Sequence, residues 1–342
     1  MKKIYYITAV FATLFLVGCG DGIDLPGVNV ETDLNKIPLP DNNVNLEQVE
    51  LKPSTEPMLH EGLHTEEDFQ RIRDKKAAGE EPWVSAYQLL VESQFSQKTA
   101  DTYPTEWIKR GVSGDENYMN AARGATIAYQ QALRWKIEQD DEYAAKAVEN
   151  LNKWVQTCVG VTGNTNLSLA AGLYGYEFAI AGELLRDYEG WDRADFAAFQ
   201  NWLLKVFYPA NDDFLKRHHD TNPLHYWANW CLCNIAAKMA IGIVTDRRDI
   251  YNEGIGHLQT GDTNGRLRRA IYHDYAPDYN FAQWQESGRD QGHTLMCVGL
   301  MGIICQLAWS QGDDFFAYDD NLFMRACEYA ASVSYTHLRA HE

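Results

Sequence analysis

Basic residues are the scarce class in this chain: 30 Lys+Arg stand against 48 Asp+Glu in 342 residues, a formal net charge of −18. So little positive charge leaves no footprint for a phosphate backbone, which excludes nucleic acid as a partner. The shortage weighs less against an anionic glycan, because a local arginine acts inside a globally negative protein. Strand signals are scarce too, and no short exact repeat is visible. Metal-ligand spacing is also missing. Cys231 and Cys233 form C-x-C, but residues two apart on a helix point about 200° apart, which fits neither a shared zinc nor a mutual disulfide. The other cysteines beyond Cys19 sit in apolar runs such as "LMCVGLMGIICQLAW" and read as buried free thiols. His218, His219 and Asp220 offer adjacent, diverging side chains without a second cluster, so they read as a solvated loop. No metal and no cofactor is expected.

A long hydrophobic run occurs at the N-terminus, Ile4 to Val17 in "MKKIYYITAVFATLFLVGCG". It is too short and wrongly flanked for a spanning helix and reads as a secretion signal. Leu16-Val17-Gly18-Cys19 resembles a bacterial lipobox, in which cleavage before the cysteine leaves Cys19 for lipid attachment. The expected organisation is a signal peptide over 1–18 and a flexible tether over 19–57, rich in Asp, Asn, Pro and Glu. A helical domain follows over 58–333. The expected location is the cell envelope, with an outer-membrane lipid anchor facing the periplasm or the cell surface. The last residues, "VSYTHLRAHE", abandon the preceding helical pattern. They resemble translated sequencing-adapter read-through, so 334–342 is expected to be non-native, with later helices missing.

What the chain has in quantity is helical periodicity. Thr65 and Asp68 are spaced as a capping box ahead of Phe69 and Ile72. Further helices are predicted over 83–96, 117–138, 141–157, 167–188, 193–206, 222–244, 247–259, 288–311 and 319–333. Clusters such as "GVTGNTN", "YPANDD" and "TGDTNG" punctuate them. Antiparallel helices on short loops predict an all-α fold, an (α/α) toroid or incomplete barrel of helix pairs. Aromatics are abundant, with 10 Trp and 19 Tyr, which suits both sugar stacking and large helical cores.

Two stretches carry candidate chemistry. In "HHDTNPLHYWANWCLCN", a helix capped by Asp220, Thr221 or Asn222, with Pro223 in its first turn, would set His225 and Asn229 on one face. Tyr226, Trp227 and Trp230 would lie beside them. Polar groups among large aromatics make a poor core and a good cleft wall, with rings placed to stack on pyranoses. In "QWQESGRDQGHT", a helix capped by Ser287 would align Arg289 with His293 near its N-terminus, with Glu286 orienting the arginine. A helix N-terminus and a guanidinium fork together suit a carboxylate. Upstream, "IYHDYAPDYNFAQW" offers Tyr272, Tyr275 and Tyr279, and periodicity selects none of them.

Together with "HEGLHTEEDFQRIRDK", "GNTNLSLAAGLYGYEFAIAGELLRDY" and "AWSQGDD", these motifs resemble the alginate-lyase superfamily. The likeness runs from about His60 to Ala331. It is greatest to polysaccharide lyase family 38 lipoproteins of Bacteroidota, with family 5 more distant. The resemblance implies an (α/α) toroid that cleaves 1,4-linked uronans, alginate or glucuronan, by β-elimination. It implies Arg289 with Asn222 or Asn229 as neutraliser of the substrate carboxylate, His225 as base and Tyr279 as acid. Tyr226, Trp227, Trp284, Glu286 and His293 would bind or orient substrate. The family 5 pattern differs in two places. It has an adjacent Asn-His before its Tyr-Trp, and a tyrosine two helical turns past the arginine, where this chain has Met296. Two rival classes need other features. A glycoside hydrolase needs two free carboxylates facing the bond. A non-catalytic glycan-binding lipoprotein needs aromatics alone.

Overall fold

The computed structural model describes residues 54–339; Cys19, the signal peptide and most of the tether lie outside the described residues. The first helix, α1 (Glu66–Ala77), opens on the expected capping box between Thr65 and Asp68. α2 (Trp83–Glu92) follows, then strand β1 (Trp107–Arg110), α3 (Tyr118–Glu138), α4 (Asp141–Thr157) and β2 (Gly160–Gly163). Next come α5 (Leu167–Leu184), α6 (Arg193–Val206), α7 (Tyr208–Arg217), α8 (Ala228–Val244) and α9 (Arg248–Thr260). A one-turn helix, α10 (Leu267–Ala270), leads into β3 (Ile271–Asp274) and β4 (Ala282–Trp284), then α11 (Gln291–Ser310) and α12 (Tyr318–Arg339).

Burial sorts these helices into two layers. α4 is amphipathic: Tyr143, Ala144, Ala147, Val148, Leu151 and Trp154 are buried at helical spacing, and Asp140 caps its first turn. By contrast, α5 and α8 are buried nearly all round, as helices in an inner layer must be. Close packing between them depends on Gly172, where a Cβ would lie 2.5 Å from the Cys233 sulfur. The inner layer is α3, α5, α8 and α11, and these helices run parallel. Parallel pairing of β1 with β2 sets the starts of α3 and α5 side by side. Asn234 Nδ2 donates to the Ser168 carbonyl at one end of the α5–α8 contact, and Arg186 Nη2 donates to the Val244 carbonyl at the other. Asn229 and Met296 meet near the starts of α8 and α11. The architecture is an all-α toroid, and four inner-helix N-termini share one end, called the mouth below. Each contributes the positive end of its dipole there.

The opposite end is closed by a strap, residues 54–63. Gln311 accepts from the Leu59 amide and donates to the Leu59 and Glu61 carbonyls. Arg248 donates to the Glu56 and Pro57 carbonyls.

Several predicted boundaries move. The helix expected over 222–244 starts at Ala228, because residues 221–227 are held open by side chains. Asn222 Oδ1 accepts from the Leu224 amide, and Asn264 Nδ2 donates to the Leu224 and Tyr226 carbonyls. The helix expected from 288 starts at Gln291, with Asp290 rather than Ser287 as its cap. "YPANDD" is not a loop but the start of α7, with Pro209 in the first turn, where its missing N–H costs nothing. α12 continues to Arg339, past the break expected near Ser332. His218 is buried rather than solvated, its ring 3.5 Å from the Cys231 sulfur and pushed down to about 4 by that burial. The cysteines among the described residues are free, as expected.

Candidate active site

The centre of the mouth is built where the segment before α11 meets the start of α8. Trp227 ends the open segment, so the first amides of α8 lack intrahelical partners. Two side chains from the 3₁₀ turn at 285–288 supply them. Gln285 Oε1 accepts from the Ala228 amide at 2.8 Å, and Glu286 Oε1 accepts from the Asn229 amide at 3.4 Å. Glu286 is fully buried, and burial raises its carboxyl above the ordinary range despite the Asn229 amide and Arg289. Its second oxygen lies 3.3 Å from Arg289 Nη1, so the predicted orienting pair is present. Asp290 Oδ2 sits 3.7 Å from Arg289 Nε, and the guanidinium lies 5.5 Å from the centre of the Trp227 ring. Held on two edges and one face, the Arg289 side chain remains 33% exposed.

Asn229 stands beside it on the first turn of α8. Its Nδ2 is 3.7 Å from Met296 Sδ, and its buried Oδ1 has no hydrogen-bond partner among the described residues. A buried acceptor without a donor is costly, and costs of that kind concentrate at functional sites. His293 is fastened through the cap: its amide donates to Asp290 Oδ1 and its Nδ1 lies 2.6 Å from Oδ2. Burial works against the Asp290 charge, yet the His293 contacts and Arg289 hold its carboxyl below the usual range.

The structure thus gathers Trp227, Asn229, Glu286, Arg289 and His293. It treats the other candidates differently. His225 and Asn222 do not share a helix face with Asn229, because they precede the helix. Both are exposed in the open segment, where the His225 amide donates to the Asn222 carbonyl. Tyr226 is buried against Phe214, His219 and Trp230. Trp284, expected to contact sugar, is fully buried and donates Nε1–H to the Ala326 carbonyl, so it anchors α12 instead. Tyr279 is 65% exposed on the β3–β4 loop, with no recorded side-chain contact to Arg289 or Asn229 among the described residues. Trp227, at 41% exposed, remains open to a ligand beside Arg289.

One site residue escaped the sequence reading. Arg110, at the end of β1, is buried against Tyr118 with 4.7 Å from guanidinium to ring centre. Its Nη1 has no hydrogen-bond partner among the described residues. It stands at the starts of α3 and α5 as Arg289 stands at that of α11. A four-residue strand carries too little periodicity to single it out.

An all-α toroid with guanidinium groups at a mouth lined by four helix N-termini suits an enzyme that handles an anionic polysaccharide. A family model described as alginate lyase matches residues 72–337, and the chain belongs to that family. The fold is similar to alginate lyase A1-III of Sphingomonas species A1, with TM-score 0.57 and 14% identity over 82% of this chain and 81% of that one. A variant of alginate lyase A1-III complexed with tetrasaccharide gives TM-score 0.58 and 13% identity, over 82% and 79% of the two chains. An alginate lyase from Bacteroides ovatus gives TM-score 0.53 and 13% identity, over 79% and 82%. Among curated proteins none matches in sequence.

Proposed function

We propose that the protein cleaves a 1,4-linked uronan, alginate or glucuronan, by β-elimination, leaving a 4,5-unsaturated uronic acid end. The observation that carries this reading is Arg289, one-third exposed at the mouth with Glu286, Asp290 and the Trp227 ring holding its guanidinium. β-Elimination breaks the C5–H bond, forms the C4=C5 double bond and expels O4, which leaves with a proton. The C5 proton is barely acidic while the neighbouring carboxylate is fully charged. Arg289 offsets the charge that grows on that carboxylate, while Glu286 and Asp290 hold the guanidinium in place. An asparagine at 229 contributes its amide. In this reading His225 takes the C5 proton and Tyr279 protonates O4. Arg110 suits a second uronate carboxylate along the chain. Within the family, the motif order points to polysaccharide lyase family 38.

Incubating the protein with polymannuronate, polyguluronate and glucuronan tests the reading. The expected result is growth of ultraviolet absorbance from the conjugated double bond on at least one of them. A reducing-end increase without that absorbance would mean hydrolysis and would overturn it. The protein is further proposed to be an envelope lipoprotein held by lipid at Cys19.

A further inference from the structure

Below the mouth, on the inner faces of α3 and α5, lies a polar cluster to which the elimination proposed above assigns no role. His64, carried inward from the end of the strap, places Nε2 2.6 Å from the Tyr129 hydroxyl. Glu177 on α5 stands near Tyr129, and the Tyr176 hydroxyl donates to Glu177 Oε1 at 3.5 Å. Glu177 Oε2 is buried with no hydrogen-bond partner among the described residues. His64, Tyr129 and Glu177 are nevertheless not fully buried as residues, so the cluster is a partly open recess whose innermost atom, Glu177 Oε2, is covered.

The neighbours of Glu177 explain its state. Tyr129 faces it from α3, Tyr176 adjoins it on α5, Cys233 approaches Tyr176 from α8, and His64 comes from the strap. Burial keeps all four uncharged near neutral pH: it pushes His64 down to about 4 and raises the two tyrosines and Cys233. No cation offsets Glu177, and burial pushes its carboxyl up to about 8. It is therefore a neutral acid at neutral pH, with one donor and one acceptor.

We infer that Glu177, with Tyr129 and His64 beside it, is a subsite for the hydroxyl edge of a sugar ring deeper in the toroid than the elimination centre. A ring hydroxyl is itself one donor and one acceptor, so it matches both functions of the neutral acid. A uronate carboxylate fits poorly, because the recess offers no positive charge to hold it. The mouth with its arginines then takes the carboxylates, and the recess takes an uncharged edge. This inference rests on the uronan reading above.

The test is a pair of variants, Glu177→Gln and Glu177→Leu, assayed on uronan oligosaccharides from about pH 6 to about pH 9.5. For the unmodified protein, KM is expected to rise as pH passes about 8, where the ionised carboxyl repels a polyanion. Glu177→Gln keeps donor and acceptor without a titration, so its KM should match at neutral pH and lack the alkaline rise. Glu177→Leu should raise KM roughly tenfold at neutral pH, the scale of one hydrogen bond, with kcat little changed. Its melting temperature should fall little, since only the long Tyr176 contact is lost while an unpartnered buried oxygen is removed. An unchanged KM in Glu177→Leu, or an alkaline rise that persists in Glu177→Gln, overturns the subsite. Should Glu177→Leu fail to fold, the Glu177→Gln profile decides. If the unmodified protein cleaves no uronan, the proposed function falls. Calorimetric titration of the same oligosaccharides at neutral pH and about pH 9 then reads the subsite by itself, and equal affinities in unmodified protein and Glu177→Gln at both overturn it.

Discussion

At the scale of single residues, Arg289 carries the largest part of the functional reading. Its guanidinium is shared between Glu286, Asp290 and the face of Trp227, which leaves a directed, partly open set of donors. A lysine at this position keeps the charge but not the planar fork. Arg289→Lys is therefore expected to lower turnover by about 10²–10³-fold, the scale of losing one preorganised donor to a developing oxyanion. Folding should change little, because a partly exposed ion pair contributes about 0–1 kcal/mol. Turnover and melting temperature measured on one preparation separate the cases: near-normal turnover with a lowered melting temperature would mean a structural ion pair. That Arg289 and Glu286 act together was legible in the sequence, since three residues apart places them within reach. Asn229 was legible as a polar candidate, but the helix face it was to share with His225 does not exist, because His225 precedes the helix.

At the scale of elements, the start of α8 depends on a different segment of the chain. Gln285 and Glu286 occupy the place that an N-cap side chain fills in most helices, so the turn before α11 and the first turn of α8 are one unit. Removing that contact should loosen both. Gln285→Ala is expected to cost about 1 kcal/mol of stability, as loss of a cap does, and to lower turnover by more than that cost implies. The excess arises because Asn229 and Arg289 lose their relative position. Denaturant melts and kcat measured together check this; a stability loss with unchanged kcat would sever the cap from the site. The local sequence named Asp220, Thr221 or Asn222 as caps because those residue types suit the role. It had no means to show that Asn222 and Asn264 spend their side chains holding 221–227 open.

At the scale of the whole molecule, the toroid has unlike ends. The mouth gathers inner-helix N-termini with Arg110 and Arg289, while the strap closes the far end through Gln311 and Arg248. A net charge of −18 thus coexists with a locally positive mouth, because helix dipoles and two guanidinium groups act at short range. The proposed anchor lies at the other extreme of the chain. Cys19→Ala is expected to release the protein from the membrane fraction into the soluble envelope fraction, with turnover on uronans intact. Membrane recovery of the variant in the absence of lipid would end the lipoprotein reading.

The sequence by itself determined most of the helices, the all-α class and the likeness to the family. The helices follow from periodicity and caps within one segment, as at Thr65, and the family likeness from several motifs in order. It also determined that Arg289 has an acidic partner, because both lie in one turn. Only the tertiary structure decided which side chains converge. Trp284 and Tyr226 became packing residues because other helices cover them, and Arg110 joined the mouth because β1 pairs with β2. Burial between helices raises the Glu177 carboxyl, and its neighbours from α3, α8 and the strap bring no positive charge to offset it. Burial and partners are properties of segments far apart in the chain, and no window of sequence contains them.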